Sequence, residues 1–148
     1  MAEKKKNSNS NNINLKFLIN AQYLKDLSFE NPQNINENNL SNNNNSNVDV
    51  KMNVVYKPYN DNNFFSLVLR YNVDCSSNDS KKKLFNLELD YFGFFEILDK
   101  ENHDQEVLTK IGLKLMLPSV KDIVEIISKK GGSLPISLND VDFSLTKN

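Results

Sequence analysis

The chain has 148 residues, 39% of them hydrophobic, and carries 18 basic against 19 acidic side chains, for a formal net charge of -1 at pH 7. This balance argues against a nucleic-acid binder, which would need a strong basic surplus, and the length predicts one domain. The single cysteine, Cys75, excludes an internal disulfide and suits a reducing cytoplasm.

The first residues are polar and rich in asparagine, and their composition predicts a disordered tail over residues 1–12. Lys4 to Lys6 resemble the basic start of a signal peptide, but Lys16 and Asn20 interrupt the apolar run that follows. No window approaches the roughly 20 apolar residues of a membrane span. We therefore expect a cytoplasmic protein, without membrane insertion, that forms one domain over residues 13–148.

Alternation with a period of two predicts a first strand from Leu15 to Pro32, because successive side chains of a strand point to opposite faces. Its predicted apolar face carries Leu15, Phe17, Ile19, Ala21, Tyr23, Leu27 and Phe29. Asp26 and Glu30 lie on the predicted polar face, about 13 Å apart along the strand. Two fixed carboxylates on a solvated sheet face suit a docking surface for a basic partner better than a reaction centre.

Three more alternating segments follow an asparagine-rich connection over residues 33–47, a length that is usually functional or mobile. The second strand, Val48 to Tyr56, carries Val48, Val50, Met52, Val54 and Tyr56 on one face. The third strand runs from about Phe64 to Cys75 and the fourth from Leu84 to about Tyr91. Polar loops between sequential strands favour an antiparallel meander.

After the strands the apolar spacing becomes that of a helix, from Asp99 to Leu117, although Gly112 weakens this prediction. Pro118 either kinks this helix or begins the next one, because proline fits a first helical turn. The stripe that follows consists of Val120, Ile123, Val124 and Ile127, and it is expected to join the core in any arrangement. The glycine pair at Gly131 ends the helix. Strands followed by a long helix indicate an α+β fold.

Three blocks of the sequence resemble the SecB family of bacterial protein-export chaperones. The first, Tyr23 to Pro32, reads YLKDLSFENP. The second, Phe64 to Val73, reads FFSLVLRYNV and is followed by GFFEI at Gly93 to Ile97. The third, Leu117 to Phe143, contains LPSVKDIV and KKGGSLPISLNDVDF. The order and spacing of these blocks carry the resemblance, which covers roughly residues 15–144.

The resemblance implies a four-stranded antiparallel sheet with a long helix and a shorter C-terminal helix, assembled as a dimer of dimers. SecB-like proteins hold unfolded precursor proteins in apolar grooves and need neither ATP nor metal. They deliver their clients to the SecA motor through acidic residues on the exposed sheet face. Asp26, Glu30 and Glu88 match these acidic docking positions of the family motif.

The resemblance also implies a groove and subunit contacts built from apolar positions. We assign the groove to Val50, Met52, Val54, Tyr56, Phe94, Leu134 and Ile136, and the oligomer interface to Val120, Ile123, Val124 and Ile127. The aromatic residues near the strands are more than a small sheet must bury, so some of them are expected to line a groove. A sheet and helix of this size leave surplus apolar surface, so a partner subunit is expected, and the resemblance implies that the assembly is a homotetramer.

The sequence departs from the family pattern at three places. Asn86 stands two residues before Glu88, where the family usually has an apolar residue, and Phe92 replaces the first glycine of a Gly-Gly pair. Only five residues follow Phe143. We therefore expect the second helix of the family to be missing and the groove to be more open.

One other function remains open, and a third is disfavoured. A SecB-like chaperone dedicated to one client, such as an antitoxin, would use the same fold. An α+β enzyme is disfavoured, because Glu88 and Asp90 form an exposed pair without the apolar pocket that an acid–base pair needs.

His103 is expected at the surface, and one histidine with one cysteine makes no metal site. Cys75 is expected to be a small buried residue without a catalytic partner.

Overall fold

The computed structural model describes residues 16–32, 46–60, 63–78, 82–99 and 103–131, which form one sheet and one helix. The strands are β1 (Phe17–Glu30), β2 (Ser46–Tyr59), β3 (Phe64–Ser77) and β4 (Lys83–Ile97), and the helix is α1 (Gln105–Lys130). The predicted α+β fold, a four-stranded antiparallel sheet followed by a long helix, is confirmed. The predicted tail, most of the asparagine-rich connection and the expected loss of a second helix concern residues outside the described ranges.

The strands lie in the order β1-β4-β3-β2, and every neighbouring pair is antiparallel. The predicted meander holds for β2, β3 and β4, but it is wrong for β1, which lies beside β4 instead of β2. The long connection between β1 and β2 accounts for the difference, because only a short turn forces sequential strands to pair. β1 and β2 are therefore the edges of the sheet.

β4 continues beyond its predicted end at Tyr91, through Gly93, to Ile97. Gly93 lies where the helix approaches the strand closely, since a Cβ there would be 2.8 Å from Phe95 Cε2 and 2.9 Å from Met116 Sδ. A glycine inside a strand commonly marks such a close approach. Gly93 is thus a packing feature inside the strand.

The core lies between α1 and one face of the sheet. Its buried apolar side chains are Phe65, Leu67, Leu69, Tyr71, Val73, Cys75, Phe85, Leu87, Leu89, Tyr91 and Phe95 from the strands, and Leu108, Leu113, Met116, Leu117, Val120 and Val124 from the helix. The Phe65 and Phe95 rings stack with centroids 4.8 Å apart. Burial of each large side chain contributes roughly 1.5–3 kcal/mol, so this contact is the main source of stability.

α1 is one helix with a defined start and end. It begins at Gln105, where the carboxylate of Asp104 accepts a hydrogen bond from the Glu106 backbone N–H at 3.4 Å. It ends at Gly131, whose N–H donates to the Ile127 carbonyl at 2.8 Å. Pro118 lies within the helix on its exposed side, so it does not begin a second helix. On that side water can bond the carbonyl that loses its donor.

Two β-bulges in β1 decide which face its side chains occupy. The register with β4 shifts between Ile19 and Ala21 and again between Leu24 and Asp26. Each bulge inserts one extra residue and reverses the alternation. Phe17, Ile19, Leu27 and Phe29 lie on the helix side as predicted, whereas Ala21 and Tyr23 lie on the opposite face, across from Phe94 and Phe92. The single apolar face predicted for this strand is therefore wrong for Ala21 and Tyr23.

Gly112 permits the close approach of α1 to β3. A Cβ at Gly112 would lie 2.5 Å from Leu67 Cδ1 and 3.4 Å from Phe95 Cε2, and both side chains have 0% of their surface exposed. We therefore predict that Gly112→Ala lowers the free energy of unfolding by about 1–3 kcal/mol through overpacking, despite the better helix propensity of alanine. Urea denaturation followed by circular dichroism, at one fixed protein concentration, measures this difference.

Lys114→Ala is the matched control, because Lys114 lies on the exposed side of the same helix. Its free energy of unfolding should stay within about 0.5 kcal/mol of that of the wild type. A Gly112→Ala protein as stable as this control would show that the helix and the sheet can separate at this point without cost.

Candidate functional site

The face of the sheet opposite α1, here called the open face, carries three polar rows of cross-strand neighbours. From β1 to β2 these rows are Glu30–Asn86–Asp74–Asp49, Ser28–Glu88–Asn72–Lys51 and Asp26–Asp90–Arg70–Asn53. The register thus places Asp26, Glu30 and Glu88 in three successive rows of one face. Side chains that are direct neighbours across a sheet lie close enough to form one continuous surface.

Neighbouring side chains hold two of the carboxylates in place. The Asn72 amide donates a hydrogen bond to Glu88 Oε1 at 2.7 Å. Arg70 Nε lies 3.5 Å from Asp90 Oδ2 and forms an ion pair with it. Arg70 therefore neutralises Asp90, while Glu88 receives a neutral donor and keeps its negative charge uncompensated.

Asp26 and Glu30 lie on the edge strand with their side chains exposed. Within the described ranges, no lysine or arginine forms an ion pair with Asp26, Glu30 or Glu88. A depression of about 440 Å³ lies between Asp26, Glu88 and Asp90. Lys51 and Arg70 also line this depression. Asp26 and Glu88 can accept hydrogen bonds from an incoming lysine or arginine, and charged bonds of this kind are short and strong.

Asn86 connects the polar rows. Its amide donates to Asp74 Oδ1 at 2.7 Å and lies 3.4 Å from Asn72 Oδ1. An apolar residue at this position could make neither bond. The departure from the family pattern at Asn86 therefore extends the polar surface around Glu88.

The other end of the open face consists mainly of apolar and aromatic side chains, with Lys57, Ser66 and Glu96 among them. Its rows are Tyr23–Phe92–Val68–Val55, Ala21–Phe94–Ser66–Lys57 and Leu18–Glu96–Phe64–Tyr59. We call its large apolar side chains the aromatic patch: Tyr23, Val55, Tyr59, Phe64, Phe92 and Phe94. The Ser66 hydroxyl donates to Tyr59 Oη at 3.3 Å and is the main cause that lowers the pKa of this phenol.

Sequence reasoning missed the aromatic patch and placed Phe94 in the groove. Phe94 lies on the open face, stacked on Phe64 with ring centroids 5.7 Å apart, and is separated by the sheet from Met52 and Val54. The uninterrupted alternation of β4 through Gly93 could have indicated its face. The signal for the bulge that brings Tyr23 beside Phe92 was the break in alternation at Leu24 and Lys25, where an apolar and a charged residue stand in exchanged positions.

The remaining described groove residues lie on the helix side of the edge strand β2. Val50, Met52, Val54 and Tyr56, here called the β2 flank, are each half-buried. α1 packs mainly over β3 and β4, so it leaves these side chains partly open beside it. Burial raises the pKa of the Tyr56 phenol, which keeps this side chain neutral. Leu134 and Ile136 lie outside the described residues.

Comparison with known families decides the affiliation of the chain. A family model described as "Preprotein translocase subunit SecB" matches residues 9–146. The chain belongs to the SecB family. The protein-export protein SecB of Orientia tsutsugamushi (strain Boryong) is 32% identical over 130 residues, which are 87% of this chain and 79% of that relative. That of Rickettsia akari (strain Hartford) is 25% identical over 138 residues, 93% and 89% of the two chains.

A solved structure shares the fold. The SecB-like chaperone of Mycobacterium tuberculosis, solved in complex with a ChAD peptide from the HigA1 antitoxin, superposes with a TM-score of 0.67. It is 10% identical in sequence, and the match covers 87% of this chain and 93% of that one. Membership of the SecB family makes this chain a chaperone of protein export, and the family is not a family of enzymes.

Two of the four residues predicted at the oligomer interface are fully buried within their own protomer. Val120 and Val124 have 0% exposed surface because they pack into the core of their own protomer. They are therefore core residues, as expected for this stripe, and they have no exposed surface left for a second subunit. Ile123 and Ile127 are half-buried at the border of that core. The exposed apolar side chains of α1 are instead Leu115 and Ile126, at 40% and 56%.

Cys75 and His103 do not belong to the rows of the open face. Cys75 is buried, as expected. His103 was expected at the surface, but its side chain is only 6% exposed, with Nε2 at 3.6 Å from Asp99 Oδ2. In the described ranges, no group of three or more potential ligand side chains is arranged to hold a metal ion. Nor does a helix there have the length and apolar character to cross a membrane.

Proposed function

We propose that this SecB-family chain is a cytoplasmic holdase that keeps precursor proteins unfolded without ATP or metal and delivers them to SecA for Sec-dependent export. The observation that carries the proposal is the position of Asp26, Glu30 and Glu88 together on the open face of a chain that matches the SecB family over residues 9–146. The exposed carboxylates favour a basic partner, and the half-buried β2 flank favours an apolar one.

Client binding in this proposal is the burial of apolar side chains against the β2 flank. Such burial contributes about 25 cal/mol for each Å² of apolar surface and requires no particular sequence, so it suits many unfolded clients. β2 is also an edge strand of the described sheet, so the backbone groups on its outer side suit pairing with an extended segment. Both interactions are available to an unfolded chain and are lost when the client folds.

The β2 flank gives a test with a control at the neighbouring residue. Met52→Thr combined with Val54→Thr keeps side chains that suit a strand but removes apolar surface from the flank. We predict that binding of an unfolded exported precursor weakens by about 1–2 kcal/mol, roughly 5–30-fold in Kd. Fluorescence anisotropy of a labelled precursor measures the affinity, and suppression of its aggregation measures the holdase activity.

Val55→Thr is the control, because Val55 is 48% exposed on the opposite face of the same strand. Its affinity for the precursor should equal that of the wild type. If Val55→Thr weakens client binding as much as the double variant does, the β2 flank is not the client site.

The docking carboxylates give the second test. Asp26→Lys combined with Glu30→Lys should weaken SecA binding by about 1–3 kcal/mol, the range of close charge pairs at interfaces. Client binding should stay unchanged, because these side chains lie on the other face from the β2 flank. The wild-type interaction with SecA should also weaken as salt rises, since exposed charges are screened over about 8–10 Å. Isothermal titration calorimetry at two salt concentrations measures both effects.

A charge-conserving exchange, Asp26→Glu with Glu30→Asp, is the control at the same two positions and should bind SecA nearly as the wild type does. Normal SecA binding by the lysine variant together with lost client binding would mean that the two faces have the opposite roles.

We further propose that the chain assembles as a homotetramer, a dimer of dimers, and that the outer side of α1 contributes to its interfaces. Leu115 and Ile126 are exposed apolar residues on this side of the helix. In a single protomer they would remain in water, whereas a partner subunit would bury them.

Light scattering should therefore give four times the 17.0 kDa mass of the chain. Ile126→Glu should lower this mass, because it places a charge in the proposed interface, whereas Lys114→Ala should not. If the measured mass of the wild-type protein is that of one chain, the proposed assembly is wrong. If it is that of two chains, only one of the two proposed interfaces forms.

A chaperone dedicated to one client, such as an antitoxin, is the second candidate. The antitoxin peptide in the Mycobacterium tuberculosis complex favours it, because that chaperone shares the fold of this chain. The two candidate functions differ in the range of clients that the chaperone protects and in whether it binds SecA. A wild-type protein that does not bind SecA and protects only one precursor among several tested would favour the dedicated chaperone.

A further inference from the structure

The aromatic patch and the polar rows are consecutive parts of one surface. The row Tyr23–Phe92–Val68–Val55 directly follows the row that contains Asp26 and Asp90. Along β4, Phe92 lies four residues from Glu88, which is about 14 Å in a strand. A partner segment bound to the carboxylates therefore lies within a few residues of the aromatic patch.

Contacts within the aromatic patch fix its shape before any partner binds. The Tyr23 and Phe92 rings lie 4.9 Å apart, and the Phe94 ring is stacked on Phe64 and edge-on to Tyr59, 5.6 Å away. Rings packed in this way have little freedom left to lose on binding.

A substantial part of the patch is nevertheless in water. Tyr23 is 51% exposed and Val55 is 48% exposed. Large aromatic side chains that are both ordered and exposed are typical of the residues that dominate protein interfaces. The patch thus offers apolar area beside a surface already suited to a basic partner.

We propose that the aromatic patch is the apolar half of the docking surface and receives a large apolar side chain from the same partner segment that places lysine or arginine on Asp26, Glu30 and Glu88. The proposal rests on the SecA docking proposed above and deepens it. Charge complementarity selects this occupant. Uncompensated carboxylates border the patch, so a segment that binds across both must be basic, and a client segment could bind there only if it were itself basic. An extended chain advances about 3.3–3.6 Å per residue, so the apolar side chain should be about four residues from the basic ones.

The two halves of the surface should respond differently to salt. The contribution of the carboxylates falls as ionic strength rises, whereas burial of apolar surface is not screened. The SecA affinity that remains at high salt should therefore depend on the aromatic patch, and this separates an apolar contact from a further charge effect.

The test compares SecA binding by Tyr23→Thr/Phe92→Thr with that by the single variant Val55→Thr, which changes an exposed side chain and should leave the fold intact. Val54→Thr, on the opposite face of β2, is the matched control. The double variant should weaken SecA binding by about tenfold and Val55→Thr by roughly two- to fivefold, equally at low and high salt. Val54→Thr should bind SecA as the wild type does, and client affinity should be unchanged in both patch variants.

Unchanged SecA binding by both patch variants, with the charge-reversed protein still impaired, would overturn this inference and leave the docking carboxylates in place. If charge reversal also had no effect, the proposed SecA docking itself would fail. Weaker client binding by the patch variants would make the patch a client site. A lower mass in light scattering would make it a contact between copies of the chain. Either result would overturn the inference.

Discussion

The packing of α1 across the two central strands determines which surfaces the protein can offer. An α-helix with its side chains is about 10 Å wide, and strands lie about 4.8 Å apart, so one helix covers about two strands. α1 lies on β3 and β4, where Gly112 permits contact with Leu67 and Phe95. The helix-side residues of the edge strands, such as Val54 and Phe29, consequently stay half-buried. The partial exposure of the β2 flank therefore follows from the width of the helix.

The same packing leaves the opposite face of the sheet uncovered in the described part of the chain. β-bulges then decide the composition of this open face. Without the bulge between Leu24 and Asp26, strict alternation would keep Tyr23 on the helix side, away from Phe92. With the bulge, an aromatic edge residue and a carboxylate of the same strand share one face. A single extra residue thus joins the apolar and the acidic parts of the open face.

Much of the fold could be predicted from the pattern of apolar residues alone, because apolar and polar residues alternate along a half-buried strand but not along a helix. The limits of that reasoning are specific. Alternation assigns faces but not neighbours, so it could not place β1 beside β4. It also left open whether Pro118 begins a second helix, although solvent exposure accommodates this proline within α1. For the site, it placed Asp26, Glu30 and Glu88 on one face, but it did not identify Leu115 and Ile126, outside the predicted stripe of α1, as the exposed apolar residues of that helix.

The charge of the chain constrains how a partner could find the open face. A formal net charge of -1 provides little long-range attraction, so a basic partner would not be steered from a distance. Recognition must then arise within the screening length of about 8–10 Å, where the positions of individual carboxylates matter. Arg70 has a defined part in this, because it neutralises Asp90. A partner then meets Asp26, Glu30 and Glu88, and beside them the Asp49 and Lys51 of the same rows. A surface with few uncompensated charges needs a second source of affinity, and burial of apolar side chains provides one that salt does not weaken.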